Sequence, residues 1–309
     1  MAKRATRESY GAALALYGSD ERIVVLDADL SKSTKTEVFK KAFPDRFINM
    51  GIAEGNMMSV AAGLAASGKI AFASSFAMFA AGRAFEQIRN SIGYPGLNVK
   101  IGATHAGISV GEDGATHQCL EDIALMRSIP NMVVINPADD VEAMACVKAA
   151  IDHEGPVYMR FARLAMEDVN PADYQFELGK GVTLADGTDV TLIGTGLMVG
   201  EVLKARELLA AEGISARVIN IHTIKPIDEE LITKAARETG AIVTAEEHYV
   251  MGGLGSAVCE VVCKNAPVPV RIVGTDRFGK SGKPAELFAE YGLNADNIAK
   301  QAKEAMKLK

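Results

Sequence analysis

RFINMGIAEGNMMSVAAGLAASGKIAFASS, residues 46–75, decides the fold. Arg46–Gly51 reads as extended, Ala53–Ser67 carries apolar residues at helical spacing, and Lys69–Ser75 returns to an apolar extended run. A strand, a helix and a second strand in this order make a crossover unit with parallel strands. The pattern continues on both sides. Thr6–Gly18 is helical, Arg22–Leu30 (RIVVLDADL) is a short apolar strand and Lys35–Phe43 is helical. Downstream come helical Met78–Ile92, extended Asn98–His105, and the alternating segments Leu120–Ser128, Asn131–Pro137, Val141–His153 and Val157–Phe161. Continuous apolar runs, rather than in–out alternation, mark strands buried on both faces of a parallel sheet.

Glu167–Gly187 interrupts the pattern with turn chemistry, NPADY from Asn170 and then LGKG, and predicts an inter-domain linker. A second set of elements follows, with strands predicted at Val190–Ile193, Arg217–Ile221, Ala241–Ala245 and Val268–Val273. Helices are predicted at Val199–Glu212, Asp228–Glu238, Leu254–Lys264 and from Asn294 onward. The predicted fold class is α/β, two consecutive doubly wound, mainly parallel-sheet domains at residues 1–166 and 188–309 with a linker at 167–187.

Composition narrows the function. The chain has 309 residues, 49% hydrophobic and 23% charged, enough for two cores. Lys plus Arg number 33 against 39 Asp plus Glu, a net charge of −6 that disfavours binding to a nucleic-acid backbone. Cys119, Cys146, Cys259 and Cys263 are read in helix-like stretches without metal-type pairing, as suits a reducing compartment. MAKRATRESYG lacks the apolar core of a signal peptide, and the Ala/Gly/Ser-rich stretch Ser59–Gly82, split by Lys69, is a poor membrane span. These features predict a soluble, cytoplasmic protein.

In open parallel sheets, ligands bind beyond the carboxyl ends of the strands. Here those ends carry Asp27 and Asp29, Glu54, Phe76 and Phe79, His105 and Arg163. Each has an ordinary structural role open to it: a cap or turn for Asp29, a core position for His105, a helix N-terminal acid for Glu54. Their convergence on one rim predicts a ligand site. The loop HAGISVGEDGATHQ, residues 105–118, adds glycines at 107, 111 and 114, two acids and His117, as a backbone wrapped around a ligand would need. A Glu54 enclosed by Met50, Met57, Phe76 and Phe79 could share a proton with a ligand nitrogen.

NMGIAEGNM, SSFAMF, GEDGATHQ, RSIPNM, NPAD and VYMRFAR resemble, in order and spacing, the C-terminal half of transketolase across essentially the whole chain. The resemblance is strongest to split transketolases, in which this half is a separate subunit. It implies a pyrimidine-binding domain followed by a transketolase C-terminal domain, and thiamine diphosphate as cofactor. It implies that Glu54 bonds the aminopyrimidine, with Phe76 and Phe79 as its aromatic wall and Asp29 in a cofactor-proximal ADL segment. It places Arg7, Ser33 and Arg163 at sugar phosphate, His105 near the acceptor phosphate, and Asp113 and His117 at sugar hydroxyls, with Glu54 and His117 as the catalytic positions. Gly55, Gly82 and Ala106 depart from the family, where a larger polar residue, an aromatic and an acid stand; this bears on which sugars are preferred.

The family holds the diphosphate through a metal on a GDG motif in a separate domain, and this chain contains no GDG; the nearest string is GEDG at Gly111. The resemblance therefore implies an N-terminal transketolase subunit as partner, in an α2β2 assembly, carrying the diphosphate with Mg²⁺ or another divalent cation. The competing readings are the β subunit of a 2-oxo-acid dehydrogenase, a deoxyxylulose-phosphate-synthase-like enzyme and a non-catalytic assembly subunit. A dinucleotide site at GTGLMVG, residues 194–200, is a further alternative, though it lacks the usual third glycine position.

Overall fold

The structure, a computed structural model, describes residues 4–171 and 173–309. Met1–Lys3, which open the stretch read for a signal peptide, and Ala172, within the predicted linker, lie outside the described residues. The strands are β1 (Arg4–Ala5), β2 (Ile23–Asp27), β3 (Phe47–Asn49), β4 (Ile70–Phe76), β5 (Val99–Thr104), β6 (Val133–Ile135) and β7 (Val157–Arg160). They continue with β8 (Ala165–Met166), β9 (Val182–Ala185), β10 (Val190–Gly194), β11 (Ala216–Asn220), β12 (Thr223–Lys225), β13 (Ile242–Tyr249) and β14 (Val270–Thr275). A seven-stranded sheet has the order β12-β6-β7-β5-β4-β2-β3 and a five-stranded sheet the order β14-β13-β10-β11-β9. Apart from the antiparallel edge strands β12 and β9, both are parallel. The architecture is two α/β domains.

Every residue of β2, β4, β5 and β7 is buried, because crossover helices cover both faces. The quoted stretch folds as β3, the helix Glu54–Ala66 and β4. That helix is rich in alanine and glycine and lies close against the sheet, with Met57, Met58, Ala61 and Ala62 buried beneath it.

The structure departs from the sequence reading in four places. Thr223–Lys225, past the predicted strand Arg217–Ile221, crosses from the second half of the chain to pair with β6 in the first sheet. Its Lys225 Nζ donates to the carbonyls of Arg127 and Ile129, which anchor it there. Val182–Ala185, inside the predicted linker, is an edge strand of the second sheet. Met78–Ile92 is not one α-helix: wide π-turns at Met78–Arg83 and Ile88–Gly93 flank a short α-turn. They keep Ala80, Ala81 and Ala84 buried while Phe79 and Arg83 face the rim. Cys119 lies in a bridge opposite Ala106 rather than in a helix, and all four cysteines are free. Among the described residues no helix is long and apolar enough to cross a membrane.

The two halves are fastened by buried charge. Arg160 Nε donates to Asp122 at 2.9 Å, Tyr158 donates to the same carboxylate, and Arg160 Nη2 reaches the carbonyl of Glu247 on β13. Gly102, on β5, is a close-approach glycine. A Cβ there would collide with the ring and hydroxyl of Tyr10, which stacks on Phe161 at 4.7 Å and bonds the Ser74 hydroxyl at 2.7 Å. Gly102→Ala is expected to cost about 1–3 kcal/mol by overpacking, measured as a lower urea midpoint at an unchanged m value.

Candidate active site

Because β2, β3, β4, β5 and β7 run parallel, their carboxyl ends open onto one rim. The chain leaves two of these ends, those of β2 and β5, by unusual turns. Asp27, at the end of β2, is fully buried and accepts from the Leu30 amide and the hydroxyls of Thr34 and Thr36 at 2.6–2.9 Å. Burial pushes its carboxyl above the usual range, against those three donors. The turn-forming role considered for Asp29 is taken by Asp27. Asp29 itself is exposed, sits at φ +63° and accepts from Asn49 Nδ2 at 2.9 Å. His105, beyond β5, has φ +56°, and Gly107 follows at +81°. Left-handed backbone at an Asp and a His costs energy and concentrates at ligand sites.

Glu54 is the first residue of its helix and only 2% exposed. Arg83 Nη1 donates to its Oε2 at 2.9 Å, while the same guanidinium lies 4.6 Å from the centre of the Phe79 ring. Phe76 and Phe79 are nearly parallel, their ring centres 6.0 Å apart and their planes at 17°. His105 stacks on Phe76 at 3.9 Å, and His117 stands edge-on to both phenyl rings, 6.3 and 5.3 Å away. From His105 the contacts run on to Arg7, whose Nη1 is 3.3 Å from His105 Nε2 and donates to the Ser33 carbonyl at 2.8 Å. Arg163 donates to the Val110 carbonyl and lies 3.8 Å from the Glu112 carboxylate.

The tautomer of His105 follows from its partners. Arginine can only donate, so Nε2 is the acceptor and Nδ1 carries the hydrogen toward the Thr104 hydroxyl, 2.9 Å away. Burial, reinforced by the charges of Arg7 and Arg163, pulls the imidazole down to about 3, so it is neutral at ordinary pH. Burial, with the nearby charge of Arg163, lowers the Arg7 guanidinium from its ordinary value, and the two arginines form a cationic corner suited to an anion.

Of the residues singled out in the sequence, Arg7, Ser33, Glu54, Phe76, Phe79, His105 and His117 thus form one continuous run of contacts, Ser33 through its carbonyl. Arg163 flanks it. Asp29 and Asp113 do not enter the run: Asp29 pairs with Asn49, and Asp113 is exposed at the end of the turn Ile108–Asp113. Sequence reasoning missed Arg83. Its one local signal is position, a cation four residues after Phe79 in a helical segment. The GTGLMVG loop has a structural use: Gly196 packs on the Asn136 side chain with no room for a Cβ, and Thr195 donates to the Asn136 carbonyl.

Such a rim, on a mainly parallel domain joined to a second α/β domain, defines a class of cofactor-dependent enzyme subunits. Residues 2–168 match the transketolase pyrimidine-binding domain family and residues 179–298 the transketolase C-terminal domain family. The chain belongs to the transketolase family. It is 53% identical over 306 residues to a Methanocaldococcus jannaschii protein named as a transketolase C-terminal section, covering 97% of this chain and 96% of that one. It is 44% identical to the 6-deoxy-6-sulfo-D-fructose transketolase subunit of a Clostridium species, covering 98% and 95%. Against human transketolase, at 41% identity, it covers 96% of its own length but 48% of the relative's. A solved split-gene transketolase, an inactive β4 tetramer, superposes with a TM-score of 0.92 at 54% identity over 100% of both chains.

The neutral His105 predicts a pH dependence. Unfolded, the imidazole takes up a proton near 6.5; folded, it does so only at about 3. Between these values the unfolded chain binds the extra proton, so this contribution to stability is present above pH 6.5 and lost as pH falls toward 3. Urea midpoints at pH 7 and pH 4.5 should therefore differ less in His105→Gln than in the wild type.

Proposed function

We propose that this chain is a subunit of a thiamine-diphosphate-dependent transketolase that moves a two-carbon ketol unit from a ketose phosphate to an aldose phosphate. The observation that carries this reading is Glu54: a buried carboxylate whose guanidinium partner lies over the same aromatic shelf. The residues fit the cofactor's aminopyrimidine, because Glu54 offers an acid to a ring nitrogen and the nearly parallel Phe76 and Phe79 rings make an apolar wall for a flat heterocycle. When bound, the cofactor supplies a nucleophilic carbon able to carry the ketol unit.

The chain's own residues then have distinct tasks. Glu54 shares a proton with the ring nitrogen from a position closed to water. Phe76 and Phe79 fix the plane of the heterocycle, and Asp29 faces the cofactor's side of the rim. Arg7 and Arg163, with Ser33 beside them, bind the sugar phosphate through charge-assisted hydrogen bonds. Neutral His105 orients Arg7 by accepting its hydrogen bond, and His117 and Asp113 contact sugar hydroxyls near the reacting carbon. We assign residues 1–166 to the pyrimidine-binding domain and the strands and helices from Val182 onward to the C-terminal domain. The linker is shorter than 167–187, because Val182–Ala185 pairs in the second sheet; the family matches at 2–168 and 179–298 favour that order. The N-terminal subunit would supply the diphosphate site and its Mg²⁺. The lack of a GDG motif in this sequence, the near-full-length matches to a transketolase C-terminal section and to a transketolase subunit, and the inactive β4 relative favour this reading.

The test is reconstitution. The purified chain should show no ketol transfer, and activity should appear on adding the N-terminal subunit with thiamine diphosphate and Mg²⁺; full activity of the chain alone overturns the proposal. In the reconstituted enzyme, Glu54→Gln is expected to lower kcat roughly 10²- to 10⁴-fold, the usual worth of positioned proton transfer. Arg163→Ala should raise KM for phosphorylated sugars roughly 10- to 100-fold, the loss of one charged hydrogen bond, while leaving unphosphorylated sugars nearly unaffected. Equal effects on both classes would remove Arg163 from the phosphate site.

A further inference from the structure

The loop Gly107–Gln118 carries Asp113 and His117 and belongs in sequence to the first domain, yet the second domain holds much of it. Glu247 on β13 is 3% exposed, and its Oε1 accepts the amide hydrogen of Ser109. Its side chain presses against Gly107, whose positive φ and missing Cβ permit the approach. A second strap is the segment 278–284. Gln118 Nε2 donates to the Lys280 carbonyl at 2.9 Å, and Ser281 Oγ donates to the Glu112 carbonyl at 2.7 Å. Gly111 and Gly114 lie against Pro284 and Ser281. Glu247 is itself held in place, because Arg160, fixed by Asp122, donates to its carbonyl at 2.8 Å.

We propose that Glu247 is a positioning residue: by accepting the Ser109 amide across the domain junction it sets the loop that presents His117 and Asp113 to the sugar. Glu247 touches neither the aromatic shelf nor Arg7. Its effect runs through the backbone of the loop, so the C-terminal domain acts first on the sugar-binding residues and reaches the aromatic rings only through the edge of His117. A loop with glycines at 107, 111 and 114 has much conformational freedom to lose. Burial pushes the Glu247 carboxyl up to about 7, and in either protonation state an oxygen remains to accept the buried amide, a single restraint against that freedom. Ser281 acts in the same direction from the other end.

The part of this proposal that concerns sugar binding rests on the transketolase reading, so the first readout does not use activity. Hydrogen exchange of the isolated chain should show about tenfold faster exchange over residues 107–114 in Glu247→Ala, as expected when a buried hydrogen bond is lost. Glu247→Gln, which keeps an acceptor oxygen, should stay close to wild type, and Ser281→Ala should loosen the same segment to a smaller degree. In the reconstituted enzyme, Glu247→Ala should raise KM for the acceptor sugar about tenfold or more with thiamine diphosphate affinity unchanged, and Glu247→Gln should restore it. Unchanged exchange in Glu247→Ala overturns the proposal, as does an equal loss in cofactor affinity and sugar KM. If Glu247→Ala does not fold, Ser281→Ala decides: faster exchange at 107–114 with a raised sugar KM supports the clamp, and wild-type values for both overturn it. Altered exchange without any ketol transfer in the wild-type enzyme would refute the transketolase reading and leave the clamp standing.

Discussion

A carboxylate taken out of water must be met by a cation or by donors, and the site is built around how this chain meets that demand at Glu54. Two features answer it: the start of a helix, where the backbone dipole favours an acid, and the Arg83 guanidinium at 2.9 Å. Arg83 is in turn steadied by the face of Phe79, so the acid, the cation and the aromatic shelf are one unit. A wide π-turn at Met78–Arg83 puts Phe79 and Arg83 on the rim, and the alanine-rich surfaces below let the helices close tightly enough to seal Glu54 in.

The other half of the site depends on the backbone. Parallel strands deliver β2, β3, β4, β5 and β7 to one edge, but position alone does not aim side chains. Asp27 bends the chain after β2 through three hydrogen bonds, so Asp29 and Ser33 emerge beside Asn49 and Arg7. His105 takes a left-handed conformation that lets its ring stack on Phe76 while both nitrogens stay paired. Such strain persists where surrounding contacts over-determine it. Here the neighbouring partners are Arg7, which donates to Nε2, and the Thr104 hydroxyl, which accepts from Nδ1.

The sequence shows most of this because much of it is local. Apolar runs and helical spacing mark β2, β4, β5 and the helix Glu54–Ala66, and the residues at their ends can be read directly as a rim. What it hides is non-local. Arg83 finds Glu54 across 29 positions through a turn type that periodicity does not distinguish from an α-helix. Thr223–Lys225 is too short to read as a strand and pairs with a partner in the other domain. Glu247 reads as one acid in EEHY, and only the folded chain brings it to Ser109. The helix Pro284–Glu290 was not read either; it packs behind the turn Ile108–Asp113.

The exposure of the rim argues for a second surface. Ile52, two residues from a carboxylate that is 2% exposed, is itself 78% exposed, and Asp29 and Asn49 beside it also face solvent. An apolar side chain of that size gains about 1.5–3 kcal/mol when covered, and polar chemistry at a heterocycle is strengthened when water is excluded. The second domain does not provide the cover, since it holds the opposite side of the site, around Ser109 and Gln118. The open side is therefore the one that bears the acid and the aromatic shelf. A partner that brought the rest of the cofactor site would close over Ile52, and covering that side chain would add to the stability of the assembly.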